Sequence, residues 1–350
     1  MKTIKDIDIK DKVILVRTDY NVPIDNGIVT SDLRIRASLP TINYLREHGA
    51  KKIIIISHLG RPDGIDPKFS LQPVADALNN FLGRVYFVDA VSGPTVTAAV
   101  AKMHPGDILL LQNLRFYPGE KQNDPAFIRG IIDSVHPDFY VQDGFAVTHR
   151  AHASTDAVKA FLPIYAGLLV DYEVTNLQKA MTNPARPLTL ILGGSKVADK
   201  KPLIDAFLEK ANHILIGGRI AADGYTATSP NITVATDFDT DGAGAKQDIG
   251  PISTADFANV ITDSATIIWN GLLGHAEDPA YATSSTIVAE LLGEAKDKTT
   301  IICGGDTTGF VEHLMNEHDS LSYTLISTGG GAALEFLSGR PMPGLKAISA

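Results

Sequence analysis

Short runs rich in Val, Ile and Leu recur along this chain, each separated from the next by a stretch long enough for a helix. In the first half they fall at residues 12–16, 52–56, 85–88, 107–111 and 139–141. In the second half they fall at 188–192, 213–216, 266–269, 299–302 and 323–326. Apolar runs without alternation belong to strands covered on both faces, which are usually parallel. Between them, Ile35, Leu39, Ile42 and Leu45 recur at helical spacing before Gly49, and Val74, Leu78 and Leu82 before Gly83. Each glycine is placed to end its helix. Strand and helix in regular alternation predict an α/β fold, doubly wound, of two Rossmann-like domains, each a mostly parallel sheet flanked by helices.

Residues 166–182 read as a long helix, followed by Asn183-Pro184-Ala185-Arg186-Pro187, where two X-Pro steps break regular structure. The domain boundary is expected here. Residues 1–165 form the first domain, 166–187 an interdomain helix and hinge, 188–335 the second domain, and 336–350 a C-terminal segment. The stretch 225–250 is rich in Thr, Asp, Gly and Ala with little periodicity, and reads as loop with a weak strand over 232–235.

Composition narrows the class. A chain of 350 residues holds about two domains at ~150 residues each. Its 44% hydrophobic and 20% charged content excludes disorder and collagen-like or coiled-coil chains. No apolar run approaches the ~18 residues of a membrane span, and the opening Met1-Lys2-Thr3-Ile4-Lys5-Asp6 has no apolar core of a signal peptide. The lone Cys303 excludes an intrachain disulfide and fits a reducing compartment. A net charge of −9 argues against a nucleic-acid partner. The expectation is a cytoplasmic protein with small-molecule partners, no membrane association and a monomeric state.

Ligands of open α/β sheets bind beyond the carboxyl ends of the strands. In the first half those ends carry Asp19 and Asn21, then His58 and Arg61, then Arg115, then His149, Arg150 and His152, with Arg34 and Arg36 shortly after the first strand. Arginine grips phosphate or carboxylate through paired N–H donors, so this gathering in an acidic protein suits a small anionic substrate. The second half ends its strands in Gly193-Gly194-Ser195-Lys196, Gly217-Gly218, Asn270-Gly271, Gly304-Gly305-Asp306 and Ser327-Thr328-Gly329-Gly330-Gly331. Glycine lets backbone N–H groups approach phosphate oxygens, and a helix N-terminus adds positive potential. Lys196 and Lys200 supply charge, and Asp306 is a candidate Mg²⁺ ligand. The pairing implies phosphoryl transfer across an interdomain cleft. Neither a Walker G-x-x-x-x-G-K-[ST] nor a G-x-G-x-x-G turn after the first strand is present, which argues against P-loop NTPases and dinucleotide dehydrogenases.

Taken in order, these motifs resemble the phosphoglycerate kinase family from Lys12 onward. The matching stretches are Val16-Arg17-Thr18-Asp19-Tyr20-Asn21-Val22-Pro23, Ser57-His58-Leu59-Gly60-Arg61-Pro62, Asn113-Leu114-Arg115-Phe116 and His149-Arg150-Ala151-His152-Ala153-Ser154. The second half adds Gly193-Gly194-Ser195-Lys196-Val197-Ala198-Asp199-Lys200, Trp269-Asn270-Gly271, Gly304-Gly305-Asp306-Thr307 and Ser327-Thr328-Gly329-Gly330-Gly331-Ala332. The resemblance implies reversible phosphoryl transfer between 1,3-bisphosphoglycerate with ADP and 3-phosphoglycerate with ATP. It implies an acid site of Asp19, Tyr20, Asn21, Arg34, His58, Leu59, Gly60, Arg61, Arg115 and Arg150. It implies a nucleotide site of Gly193, Gly194, Ser195, Lys196, Lys200, Gly217, Gly218, Asn270, Glu277 (toward the ribose), Gly304, Gly305, Asp306 and Thr307. Arg34 and Lys196, with N–H groups of Gly305 and Gly330, would be the catalytic set, Asp306 would hold Mg²⁺, and ATP/ADP would be the co-substrate. The segment after Gly339 would return to the N-terminal domain.

Two departures stand out. The family's Gly-Gly-Met-Ala and long helical excursion are replaced by Gly218-Arg219-Ile220-Ala221-Ala222-Asp223-Gly224, with a deletion before Asp248 beside the expected adenine pocket. The proline after Trp-Asn-Gly is Leu272, followed by Leu273, His275 and Ala276. A related kinase of altered nucleotide or acid specificity and a non-catalytic ligand-binding relative remain the competing readings. Among the remaining polar residues, Arg36 reads as a structural ion pair and Cys303 as core.

Overall fold

The computed structural model describes residues 1–348. The first sheet holds β1 (Val13–Arg17), β2 (Lys52–Ile56), β3 (Val85–Val88), β4 (Asp107–Leu111), β5 (Phe139–Gln142) and β6 (Ile164–Ala166). Their order is β3-β4-β2-β1-β5-β6, every neighbouring pair parallel. The second holds β7 (Leu188–Leu192), β8 (His213–Ile216), β9 (Ile232–Val234), β10 (Thr266–Asn270), β11 (Thr299–Cys303) and β12 (Leu325–Ile326), in the order β9-β8-β7-β10-β11-β12, again all parallel. In each sheet the first strand of the unit sits between strands reached in opposite directions. β1 pairs with β2 and β5, and β7 with β8 and β10. These are the switch points, where the loops leaving the carboxyl ends diverge and open a crevice.

Helices on both faces explain why the central strands are apolar over most of their length without alternation. Ile53, Ile54, Ile55 and Ile56 are all fully buried; Ile53 and Ile55 pack with Ile35, Ile42 and Leu45 of the helix Leu33–Glu47 and with Val74 and Leu78 of the helix Gln72–Leu82, while Ile54 and Ile56 alternate to the opposite face. Each such side chain contributes about 1.5–3 kcal/mol through burial. Gly49 and Gly83 follow these helices at φ +80 and +81, the left-handed stop that the sequence suggests.

The strands tend to outrun their apolar patterns by one residue. β1 continues onto Arg17, β5 onto Gln142 and β10 onto Asn270, all buried polar side chains at carboxyl ends. The strand expected over 323–326 shortens to Leu325–Ile326. Three elements escape the apolar pattern altogether. β6 is only three residues long. A ribbon of Ile24–Asp25 with Ile28–Val29 turns at Asn26-Gly27, both at positive φ, the Asn-Gly hairpin signal. A second ribbon, Phe238–Thr240 with Lys246–Ile249, occupies the stretch read as loop.

The chain divides into two compact units, one of Met1–Tyr172 with the segment from Pro341 onward, the other of Glu173–Arg340. The division falls inside the helix Leu168–Thr182, within the segment 166–187 expected to join the domains and ahead of its X-Pro steps at 183–187. Glu173 shows why: its carboxylate accepts hydrogen bonds from Thr328 N (3.0 Å), Thr328 Oγ1 (2.6 Å) and Ser327 Oγ (2.5 Å), so the helix joins the second unit from that residue on. The helix Pro343–Ile348 packs on β6, and Gly344 N donates to Thr148 O at 2.8 Å. A Cβ at Gly344 would lie 2.9 Å from Thr148 Cα, so only glycine allows this approach. Residues 349 and 350 of the expected C-terminal segment lie outside the described residues.

Candidate active site

The carboxyl edge of the first sheet carries a nest of charged side chains. Asp19, just past β1, is nearly buried; its carboxylate accepts from Asn21 N at 3.0 Å and lies 3.5 Å from Arg34 Nε. Arg34 is held a second time by donating from Nη1 to Asn21 O. Asn21 turns its amide oxygen to Gly60 N at 2.7 Å, tying the loop after β1 to the loop after β2. Gly60 (φ +62) must be glycine, because a Cβ would lie 2.3 Å from the Phe69 ring. Its carbonyl in turn accepts from Arg115 Nη1 at 2.7 Å. Burial, with the like charges of Arg17 and Arg150, pulls the Arg115 guanidinium down to about 10. His58 is buried among Arg17, Arg115 and Arg34 and is held well below the ordinary histidine range, chiefly by burial and then by those cations. Arg150 donates from Nε to His149 Nε2 at 3.0 Å, and Arg61 is exposed.

In the second unit the loops leaving β7, β8, β10 and β11 surround a cavity of about 920 Å³. Gly194, Ser195, Lys196, Lys200, Gly218, Asn270, Glu277, Gly304, Gly305, Asp306, Thr307 and Gly330 line it. Lys200 donates to Asn270 Oδ1, and burial lowers its pKa against the opposing pull of Asp199, Cys303 and Asp306. Lys196 is exposed. Gly304 at φ +96 turns the chain into the helix Gly305–Glu317, whose first turn carries Asp306. Asn270 Nδ2 is buried without a hydrogen-bond partner.

Four expected ligands sit elsewhere than an exposed ligand would. The Tyr20 ring is core: fully buried, its hydroxyl 2.9 Å from Ser38 Oγ, with the backbone N donating to Ser57 Oγ. Leu59 is also core, and its carbonyl accepts from Asn113 Nδ2 at 2.8 Å. Gly193 and Gly217 lie beneath the cavity and are not among its lining residues. A Cβ on Gly193 would stand 2.1 Å from Leu272 O, and one on Gly217 would stand 2.7 Å from Leu273 Cδ2. Both are glycines because three loops close on one another there, with Gly193 N donating to Asn270 O and Gly194 N to Leu272 O. Glu277 does line the cavity, but its carboxylate is exposed and 3.5 Å from His275 Nε2.

Sequence reasoning passed over Arg17, Glu120, Ser154 and Glu173, all fully buried. It also missed Phe238, Lys246 and Gln247 of the second ribbon, which line the cavity with Arg219 and Asp223. Lys246 Nζ stands 4.2 Å from the Phe238 ring centroid and donates to Ala222 O. The available signal was the Asp241-Gly242-Ala243-Gly244 turn between two short extended runs. Arg36 is outside the nest, paired with Asp32 at 2.7 Å on the helix surface, and Cys303 is a buried free thiol.

Two doubly wound units, one edged with guanidinium groups and the other with glycine turns, lysines and a helix N-terminus, define a phosphotransferase. The family model described as phosphoglycerate kinase matches residues 4–234 and 223–340. The chain belongs to the phosphoglycerate kinase family. It is 40% identical over 395 residues to the phosphoglycerate kinase of Moorella thermoacetica, covering 99% of this chain and 98% of that protein. It is 41% identical over 407 residues to that of Bifidobacterium adolescentis, covering 99% and 100%. Among solved structures it is similar to phosphoglycerate kinase from Pyrococcus horikoshii OT3 (TM-score 0.88, 25% identity, 100% and 98% covered). It is similar also to that of Coxiella burnetii (TM-score 0.80, 30% identity, 99% and 98% covered). Alignments of 395 and 407 residues on a chain of 350 leave gaps, and the two matched segments overlap at 223–234, where the stretch carrying the second ribbon begins.

Proposed function

We propose that the first unit binds 3-phosphoglycerate or 1,3-bisphosphoglycerate and the second binds ADP or ATP, dividing between them the reversible phosphoryl transfer of this kinase family. The observation that carries the reading is the gathering of Arg17, Arg34, Arg115 and His58 at one sheet edge, with Asp19 beside Arg34 and Glu120 beside Arg17. Burial first, and then the neighbouring guanidiniums, lower the pKa of both Arg115 and His58, so a polyanion entering there meets cations already crowded together.

The acceptor is a carboxylate, already ionised at neutral pH, so no general base is required; position and charge neutralisation do the work. Arg34 and Lys196 take the transferring phosphoryl group, assisted by N–H groups at Gly305 and Gly330. Lys200 contacts the nucleotide phosphates. Asp306 would hold Mg²⁺: its exposed carboxylate lines the cavity in the first turn of the helix Gly305–Glu317, beside Lys196 and Lys200, and Mg²⁺ commonly takes one or two carboxylates with phosphate oxygens. The ion would neutralise phosphate charge there. With acid and nucleotide held on different units, transfer requires the two to be brought into line with water excluded.

Each unit carries its own ligand groups, which supports a monomer, and the buried, unpaired Cys303 supports the reducing cytoplasm. Calorimetric titration tests the division of labour. Arg115→Ala is expected to weaken 3-phosphoglycerate by tenfold or more and leave ADP unchanged; weakened ADP with unchanged acid would reverse the assignment. A parallel GDP titration reads the base selectivity of the ribbon-lined end.

A further inference from the structure

We propose that Arg17 is a positioning residue that fixes the tautomer of His58, holding the ring proton on Nε2 so that His58 meets the acid as a neutral hydrogen-bond donor, and that Glu120 holds Arg17 in place for this. The inference rests on reading the first unit as the acid site.

Arg17 ends β1 with its side chain wholly out of solvent. Its Nε donates to Ser154 Oγ at 2.8 Å and its Nη1 to Thr18 O. Its Nη2 lies 3.3 Å from His58 Nδ1. A guanidinium has only donors and stays charged, so the imidazole nitrogen facing it must accept. The proton is therefore left on Nε2, since the contact made by one ring nitrogen sets the state of the other.

The groups around His58 agree. Arg17, Arg34, Arg115 and His152 oppose a proton on the ring; Asp19 favours one, but its Oδ1 is 3.7 Å from Nδ1, beyond hydrogen-bond reach. Glu120, in the short helix Pro118–Lys121, is as buried as Arg17. It accepts from Ser154 N at 3.0 Å and Ser154 Oγ at 2.6 Å, while its Oε1 lies 3.8 Å from Arg17 Nη2 and from His152 Nδ1. Ser154 Oγ thus sits between carboxylate and guanidinium, and the three side chains brace one another beneath the nest. A buried cation without such a partner is strongly unfavourable, so the Glu120–Ser154 clamp explains how Arg17 stays at this depth.

The test is nitrogen NMR of histidine-labelled full-length protein, with and without 3-phosphoglycerate. From pH 5 to 8, His58 should show a bare Nδ1 and a protonated Nε2, and adding the acid should shift Nε2 without protonating Nδ1. An imidazolium, or a proton on Nδ1, overturns the proposal in the wild-type chain whatever the variants do. Arg17→Met should free Nδ1 to carry the ring proton and move protonation of His58 to higher pH, raising KM for the acid with KM for ADP unchanged. Glu120→Gln should loosen Arg17 and let part of the ring proton move to Nδ1, without favouring the imidazolium, because it removes a negative charge. A folded Arg17→Met protein with the wild-type tautomer and an unchanged KM for the acid also overturns it. If calorimetry shows acid binding while His58 stays unmoved, the donor role fails and the acid site stands. If no acid binds, the acid-site reading itself fails.

Discussion

The carboxyl edge of the first sheet is built mostly of charged side chains; that of the second is built mostly of glycine turns, with Lys196 and Lys200 among them. The first nest is assembled from buried charge, with Arg17, Arg115, His58 and Asp19 all withdrawn from water and braced by specific hydrogen bonds. The second cavity is shaped by close backbone contact, with Gly193, Gly218 and Gly271 leaving no room for a Cβ. The two should therefore fail differently. A side-chain site loses charge while its fold persists, whereas a backbone site loses shape.

The largest effect is expected at Arg34. Arg34→Ala should lower kcat by about 10³-fold or more, as for arginines that stabilise phosphoryl transition states, with ADP affinity unchanged. Turnover near the wild-type rate would remove Arg34 from the reacting group. Gly193→Ala sharpens the contrast from the other side. Its Cβ would press on Leu272 O, a backbone atom that cannot rotate away, and overpacking of this kind costs about 1–3 kcal/mol. Denaturant unfolding should show that loss, and calorimetry should show weaker ADP with unchanged acid; a silent variant would mean the loops are not tightly closed. Arg36→Ala should do least. Its ion pair with Asp32 lies on an exposed helix face, so stability should change by about 0.5 kcal/mol or less and the kinetics not at all. An altered KM for the acid would place Arg36 in the nest after all.

Much of this comparison was legible beforehand. Runs such as 52–56 and 188–192 are strands at those bounds because helices cover both faces, and a strand buried on both faces is apolar at most positions without alternation. The Gly-Gly pairs and the Arg/His residues were readable because they directly follow the apolar runs, at the carboxyl ends where doubly wound sheets open a crevice. What escaped notice escaped for local reasons. Arg17 continues a strand whose apolar run ends at Val16, and Glu120 lies in a four-residue helix with no periodicity to mark it. The second ribbon has a bulge between Asp239 and Thr240, which blurs the alternation that would have announced it.

From the residue order alone came the α/β class, most of the principal strands, the two kinds of strand end and the family. All follow from short-range rules: periodicity, glycine stereochemistry, and the chemistry of arginine and lysine. Only the tertiary structure could show that Tyr20 and Leu59 belong to the core, that Gly193 and Gly217 serve packing beneath the cavity, and that Arg17 is held by Glu120 and Ser154. Those outcomes depend on partners far away in sequence, such as Arg17 with Ser154 or Gly193 with Leu272, and no local pattern encodes a contact whose other half lies on another loop.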